Sequence, residues 1–227
     1  MLASGSANTL VENTTVAGAN NSTESMEIAM DNDGGGSATA SHDYIYNCGE
    51  CIHDGPWTIS DSYVIANGMQ GTGDHLEDLY CSDQTEVLTH DTLLNPADQT
   101  ATVFCDTHFG QSGACDNHIT LTNSLVGGGG FTLYPCGNAS SVGSSTMNIS
   151  NNRFARCTTP TFQYNSSTGG TACQGSRGTA IGSGVDSHGY WPDGGYFGLD
   201  AYIYCPPDSN QTWTGNVWDD NSATAGC

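Results

Sequence analysis

Acidic and histidine side chains are concentrated in residues 74–108 of this 227-residue chain. Side chains of these types can act in catalysis or bind a metal ion. A glycoside hydrolase uses paired carboxylates as acid and as nucleophile or base, and Ca2+ prefers oxygen ligands. The alternative is that these side chains occupy solvated corners of the fold. The candidate catalytic residues are Asp74, His75, Glu77, Asp78, His90 and Asp91, and the candidate metal ligands are Asp78, Asp106 and His108.

A six-residue phrase that recurs seven times predicts how those residues are positioned. Each copy is an apolar residue, a small polar residue, then Asn, His, Asp or Gly, and an apolar residue three places on. The copies lie at residues 11–16, 40–45, 59–64, 88–93, 121–126, 149–154 and 213–218. Spacings of roughly 20 to 33 residues, with one longer gap, indicate a solenoid whose insertions lie in loops.

Short β-branched or aromatic runs follow the phrases, as at residues 78–81 and 102–105. These runs are typical of strands, and no segment has the 3.6-residue period of a long helix. We therefore predict one all-β domain over residues 1–227, a parallel β-helix of about seven turns with a long loop insertion at about 157–204, before the last turn. An Asn, Asp or Ser ladder is expected at the repeated corner. An antiparallel sandwich is disfavoured because short Asn-Gly hairpin signals are absent.

Several motifs resemble a group of right-handed β-helix proteins secreted by bacteria, especially actinobacteria. Residues 74–78 are similar to that family's His-and-acid segment, residues 90–101 to its Asn-Pro and Gln-Thr stretch, and residues 125–134 to its glycine-rich turn. The resemblance implies a right-handed solenoid and secretion, but it does not specify a function, because such domains occur in lyases, hydrolases and binding modules. The many cysteines of this chain depart from the family pattern.

The charge of the chain restricts its partners. The chain contains 24 Asp and Glu residues, three Arg and no Lys, which gives a formal net charge of −21. Such a surface repels nucleic acid, anionic membranes and acidic polysaccharides, and no stretch is apolar enough to insert into a membrane. A lyase for acidic polysaccharides is disfavoured as well, because it usually requires a basic residue. No cofactor is required by these patterns, and Ca2+ is the ion that the acidic region would favour.

Ten cysteines indicate disulfides and an extracellular location. Cys81 and Cys105 close the same strand in consecutive turns, about 4.8 Å apart, and we predict a disulfide between them. Cys157 and Cys173 could close the insertion, and Cys227 could pair with Cys205 or with a neighbouring subunit. The spacing of Cys48 and Cys51 also fits a zinc knuckle, although no second such pair completes a four-ligand site.

Surface features offer two further kinds of site. Aromatic residues of the predicted insertion could stack on sugar rings, namely Tyr190, Trp191 and Tyr196. Sequons for glycosylation occur at Asn13, Asn20, Asn21, Asn138, Asn148, Asn165 and Asn210. Of these, Asn13 and Asn148 lie at or beside the repeated corner and could instead serve structure.

These observations favour a secreted structural or surface protein. The repeat begins near residue 10 without a visible signal peptide or N-terminal cap, which predicts either a piece of a longer protein or head-to-tail assembly into filaments. The alternatives are a polysaccharide-processing enzyme, a hydrolase in that case, and a non-catalytic glycan-binding module. Stacking of turns could bring the residues of 74–78, 90–91 and 106–108 onto one face.

Overall fold

A computed structural model gives the fold of the chain. It describes residues 8–18, 26–32, 36–66, 68, 75–82, 84–95, 100–107, 113–129, 131–137, 143–155, 198–200, 210–219 and 222–225. Every regular element in these residues is a β-strand. The described part of the chain contains no helix with the length and apolarity that a membrane crossing requires.

The strands form three parallel sheets. In spatial order, the first sheet contains β1 (Thr9–Glu12), β4 (Ala38–Ser41), β7 (Trp57–Ser60), β10 (Thr85–Thr89), β13 (His118–Thr122), β16 (Thr146–Ser150) and β19 (Gln211–Thr214). The second contains β2 (Thr15–Ala17), β5 (Tyr44–Tyr46), β8 (Tyr63–Ile65), β11 (Thr92–Asn95), β14 (Leu125–Gly128), β17 (Arg153–Phe154) and β20 (Val217–Trp218). The third contains β3 (Met26–Asp31), β6 (Cys48–His53), β9 (Glu77–Ser82), β12 (Ala101–Asp106), β15 (Phe131–Gly137) and β18 (Gly198–Asp200).

This topology confirms the predicted parallel β-helix. Neighbouring strands within each sheet are three strands apart in the chain, so every turn of the solenoid contributes one strand to each of the three sheets. The first two sheets contain seven strands each among the described residues, in agreement with about seven turns. The alternative antiparallel sandwich is excluded because neighbouring strands of all three sheets run parallel.

The apolar residues of the repeated phrase form the core. In the first sheet Ile59, Leu88 and Leu121 are register partners on consecutive turns, and all are fully buried. Val64, Leu93 and Val126 form the matching row of the second sheet. Since stacked strands lie about 4.8 Å apart, each side chain packs on the equivalent side chain above and below it. Burial of one such side chain contributes about 1.5–3 kcal/mol.

The corner between the first and second sheets has one backbone conformation in all seven turns. Its first residue adopts a left-handed conformation, with φ between 54° and 67°. Asn, Asp, His and Gly tolerate this conformation better than other residues, which explains the third position of the phrase. The seven residues are Asn13, His42, Asp61, His90, Asn123, Asn151 and Gly215.

The second corner residue is buried in turns two to seven and forms the expected polar ladder. Its side-chain oxygen accepts a hydrogen bond from the backbone N–H of the equivalent residue in the preceding turn. Six such bonds of 2.8–3.1 Å follow one another along the stack. The ladder runs through Thr14, Asp43, Ser62, Asp91, Ser124, Asn152 and Asn216.

Disulfides concentrate on the third sheet. Cys81 on β9 is bonded to Cys105 on β12, its register partner, which is the pair that the repeat predicted. Cys136 of β15 is bonded to Cys115. Cys48 and Cys51 of β6 are bonded to each other, so they are not zinc ligands in this structure. The remaining predicted cysteines, Cys157, Cys173, Cys205 and Cys227, lie outside the described residues.

Two features refine the predicted ends and insertion. Strand β18 lies inside the segment 157–204, yet it pairs with β15 as a regular strand of the third sheet. The connection before it therefore separates the second and third strands of the sixth turn. At the far end, Thr224 forms an antiparallel bridge with Val217, and the indole N–H of Trp213 donates to Ala225 O at 2.9 Å. Residues 222–225 thus cover part of the last turn, which the sequence did not predict.

Candidate functional site

The structure divides the predicted catalytic residues between two sheets. Glu77 and Asp78 begin β9 on the third sheet, and His75 lies two residues before that strand. His90 and Asp91 form the corner between β10 and β11. The expectation of one shared face is therefore wrong for the described residues, because each turn passes through three sheets and the two groups occupy different positions in the repeat. Asp74 and His108 lie outside the described residues.

The predicted metal ligands Asp78 and Asp106 do not converge either. Asp106 is the register partner of Ser82, four residues beyond Asp78 on β9, a separation of roughly 13 Å along a strand. The carboxylate of Asp106 accepts the N–H of Thr107 at 2.7 Å. Asp78 is fully buried, and its carboxylate accepts the N–H of Ala66 at 2.6 Å. Both residues therefore support the backbone.

An open groove of about 680 Å³ follows the corner between the first and second sheets. It spans turns two to six, and corner residues and the first strand residues of the second sheet line it. The lining residues are His42, Asp43, Tyr44, Asp61, Ser62, Tyr63, His90, Asp91, Thr92, Asn123, Leu125 and Arg153. The regular repeat thus places side chains from equivalent positions of successive turns along a continuous surface.

Exposed tyrosines form the aromatic part of this groove. Tyr44 and Tyr63 are register partners that are 44% and 37% exposed, respectively. Their ring centroids are 5.2 Å apart in an edge-to-face arrangement, and Tyr44 also stacks on Tyr46 at 4.5 Å. Burial raises the pKa of the Tyr63 hydroxyl above its usual value. The pair provides an apolar surface with hydrogen-bonding tips.

A carboxylate–imidazole pair lies beside the tyrosines. The Nδ1 of His90 is 2.6 Å from the Oδ1 of Asp61, one turn away. This hydrogen bond raises the pKa of His90 and lowers the pKa of Asp61. Farther along, Arg153 forms an ion pair with Asp219. The groove therefore offers charged and neutral polar groups at regular intervals.

The other carboxylates of the groove belong to the corner ladder. Asp43 and Asp91 are 3% and 2% exposed, and each accepts a backbone N–H of the preceding turn. Burial raises the pKa of Asp91 to about 7. Asp61 is thus the one well-exposed carboxylate among the described lining residues, whereas a glycoside hydrolase needs two that reach the substrate.

The third sheet carries a second cluster of polar side chains. The Nδ1 of His75 is 3.5 Å from the Oε1 of Glu77, and Glu50 on β6 is the register partner of Glu77. One donor atom from each of these three residues lies within 4.8 Å of the other two. Burial, and then the charge of Glu50, raises the pKa of Glu77 well above its usual value. Next to this cluster, His53 lies 3.2 Å from Glu50 and stacks on Tyr80.

The sequence indicated some of these residues and missed others. Tyr44 and Glu50 were not candidates, although Glu50 is in register with the candidate Glu77. Counting from the corner would have found Tyr44, which holds the same position in its phrase as Tyr63. The predicted sugar-binding residues Tyr190, Trp191 and Tyr196 lie outside the described residues.

Three of the predicted glycosylation sites fall within the described residues. Asn13, Asn148 and Asn210 are all exposed. Asn13 is also the first corner residue of its turn, with φ of 54°, so it serves the structure as well. The other sequons, Asn20, Asn21, Asn138 and Asn165, lie outside the described part of the chain.

No protein-family model matches this chain, and neither the curated proteins nor the solved structures contain a significant match. The resemblance to secreted actinobacterial proteins is therefore supported for the parallel β-helix alone. The disulfides suggest a location outside the cytoplasm.

Proposed function

We propose that this chain is an extracellular structural or surface protein whose corner groove binds a polysaccharide. The exposed pair Tyr44 and Tyr63 is the observation that carries this proposal. Ligand sites combine aromatic surfaces with a few convergent polar groups, and here Asp61 and His90 supply those groups next to the rings. The repeat spaces such groups along the groove, which suits an extended polymer.

The charge of the protein selects the class of glycan. A net charge of −21 repels anionic polymers such as uronates and sulfated glycans. A neutral polysaccharide carries no such penalty and can accept hydrogen bonds from His90 and the tyrosine hydroxyls. Binding is favoured over hydrolysis because Asp61 lacks an equally exposed carboxylate partner among the described lining residues.

Affinity electrophoresis of the full chain in gels containing neutral or acidic polysaccharides tests this proposal. We expect retardation by at least one neutral polysaccharide, and a loss of affinity of about tenfold in Tyr63→Ala, which corresponds to about 1.4 kcal/mol. Tyr63→Phe keeps the ring and should retain most of the affinity. Tyr134→Ala on the third sheet is the control, and circular dichroism checks folding. Equal binding by Tyr63→Ala and the unmodified protein would contradict the proposal.

Self-association is a second candidate, favoured by the exposure of the first turn. Leu10 on β1 is 61% exposed and Ile28 on β3 is 36% exposed. Apolar surface on an outer strand favours contact with another chain. Head-to-tail filaments would also have to displace or accommodate residues 222–225 at the other end. Negative-stain electron microscopy should show fibres that Leu10→Asp dissociates, whereas dispersed rods would exclude this candidate.

A further inference from the structure

Glu77 is an exception among the buried carboxylates of this protein. Glu86, Asp78 and Asp91 each accept a backbone N–H, from Trp57, Ala66 and Ser62, at 2.6–2.8 Å. Glu77 is 0% exposed, and neither of its carboxylate oxygens accepts a well-formed hydrogen bond among the described residues. The Thr100 hydroxyl beside it only partly offsets the rise that burial causes in its pKa. A buried carboxylate without such bonds is strongly unfavourable in either protonation state. The groups around Glu77 must therefore offset this cost.

Those surroundings consist of metal-ligating groups. The Nδ1 of His75 lies 3.5 Å from Glu77 Oε1, and Glu50 offers an oxygen within 4.8 Å of both. Two donors that share a tetrahedral Zn2+ at about 2.1 Å are roughly 3.4 Å apart. The His75–Glu77 separation therefore already matches shared coordination, and a small movement of Glu50 completes the set.

We propose that Glu50, His75 and Glu77 bind one divalent transition-metal ion of the Zn2+ type. An imidazole nitrogen with two carboxylates suits Zn2+ or Mn2+ better than Ca2+, which takes six to eight oxygen ligands. His75 has a side chain that is 54% exposed, so the ion can enter from solvent. Three protein ligands leave a coordination position for water.

The neighbouring contacts fit this role. The Nε2 of His53 lies 3.2 Å from the Oε2 of Glu50, a position from which an outer partner can orient a ligating carboxylate. Glu50 lies on β6 and Glu77 on β9, so the ion would join two consecutive turns of the third sheet. Metal binding should therefore stabilise the folded chain, because the unfolded chain has no preformed site.

Isothermal titration of the chelator-treated full chain with Zn2+ alone, Mn2+ alone and Ca2+ alone tests the proposal. We expect one high-affinity Zn2+ per chain, a rise of several degrees in Tm on loading, and at least about tenfold weaker binding of Ca2+. Glu77→Gln should lower Zn2+ affinity by at least about tenfold. Glu86→Gln is the matched control, since Glu86 is equally buried but hydrogen-bonded to Trp57.

A second variant protects the test against a folding defect. His75→Ala changes a half-exposed side chain, and it should lower Zn2+ affinity to a similar extent while His118→Ala does not. The cluster of Asp31, His53 and Asp54 is the nearest competing set of ligands. The proposal is overturned if the folded chain binds no Zn2+, if Ca2+ binds as tightly, or if Zn2+ binding survives His75→Ala and is lost only in His53→Ala.

Discussion

The corner and the third sheet hold successive turns together by different means. At the corner, six side-chain-to-backbone hydrogen bonds link all seven turns. On the third sheet, the disulfide between Cys81 and Cys105 joins β9 to β12 on consecutive turns. The other two disulfides within the described residues are Cys48–Cys51, inside β6, and Cys115–Cys136, which ends on β15. The pairing of β12 with β15 in the third sheet also contains an irregularity, because its register shifts between Phe104 and Asp106.

This difference follows from the regularity of the chain. The corner has a constant length and one backbone conformation, so the side-chain oxygen of each turn faces a backbone N–H of the preceding turn. The third sheet follows connections of variable length, and its strands pair through their backbones without a polar side-chain type that recurs in every described turn. A disulfide requires only two cysteines at a suitable distance, and it therefore tolerates irregular connections.

The largest expected effect tests Asp91, one of the two acidic residues of the corner ladder. Burial raises the pKa of Asp91 to about 7, above its value of about 3.9 in an unfolded chain. Its contribution to stability is therefore fully present below about pH 4 and is lost as the pH rises to 7 and above. Asp91→Asn keeps the acceptor for Ser62 N–H, as Asn152 does in its own turn. The variant should lose less stability between pH 4 and pH 8, by as much as about 4 kcal/mol.

Denaturant unfolding of both proteins between pH 4 and pH 8 measures this difference. Glu12→Gln, at an exposed position on the first turn, is the control and should leave the pH profile unchanged. Identical profiles for Asp91→Asn and the unmodified protein would show that the corner holds Asp91 without the cost of burying its charge.

A smaller effect is expected from the covalent link of the third sheet. Replacing both Cys81 and Cys105 by Ala opens a link with a sequence separation of 24 residues, which should lower the free energy of unfolding by about 3 kcal/mol. The matched control replaces Cys48 and Cys51, whose link has a separation of 3 residues, and should cost about 2 kcal/mol. All four sulfurs are buried.

Thermal and urea unfolding of the two double variants under identical conditions checks this ranking. A greater loss in the Cys48/Cys51 variant would mean that local geometry, rather than the linking of turns, accounts for the role of the disulfides.

The smallest expected effect comes from one rung of the ladder. Asn152 accepts Ser124 N–H at 3.0 Å and donates to Leu121 O at 2.8 Å. Asn152→Ala leaves two buried backbone groups unpaired and should cost about 2 kcal/mol. Asn148→Ala, at an exposed position of β16, should change stability by under about 0.5 kcal/mol. Urea unfolding compares the two, and equal costs would contradict a structural role for the ladder.

The sequence allowed much of the fold to be predicted, because the phrase repeats with strict internal spacing. Its two apolar positions define the core rows of the first and second sheets, and its polar positions define the corner. The pairing of Cys81 with Cys105 followed from the same register. The candidate sites were harder to predict, since Glu77 and His90 are close in sequence but lie on different faces of the solenoid.

The sequence by itself thus determined the solenoid, its polar corner and its acidic surface, since each depends on residue types that recur at fixed positions. The tertiary structure decided which side chains meet. Tyr44 joins Tyr63, and Glu50 joins Glu77, only because turns of different length stack in a particular register. That register depends on connections whose lengths the repeat does not fix. The physical reason is that stacking converts a distance of 19 or 27 residues along the chain into a contact between adjacent strands.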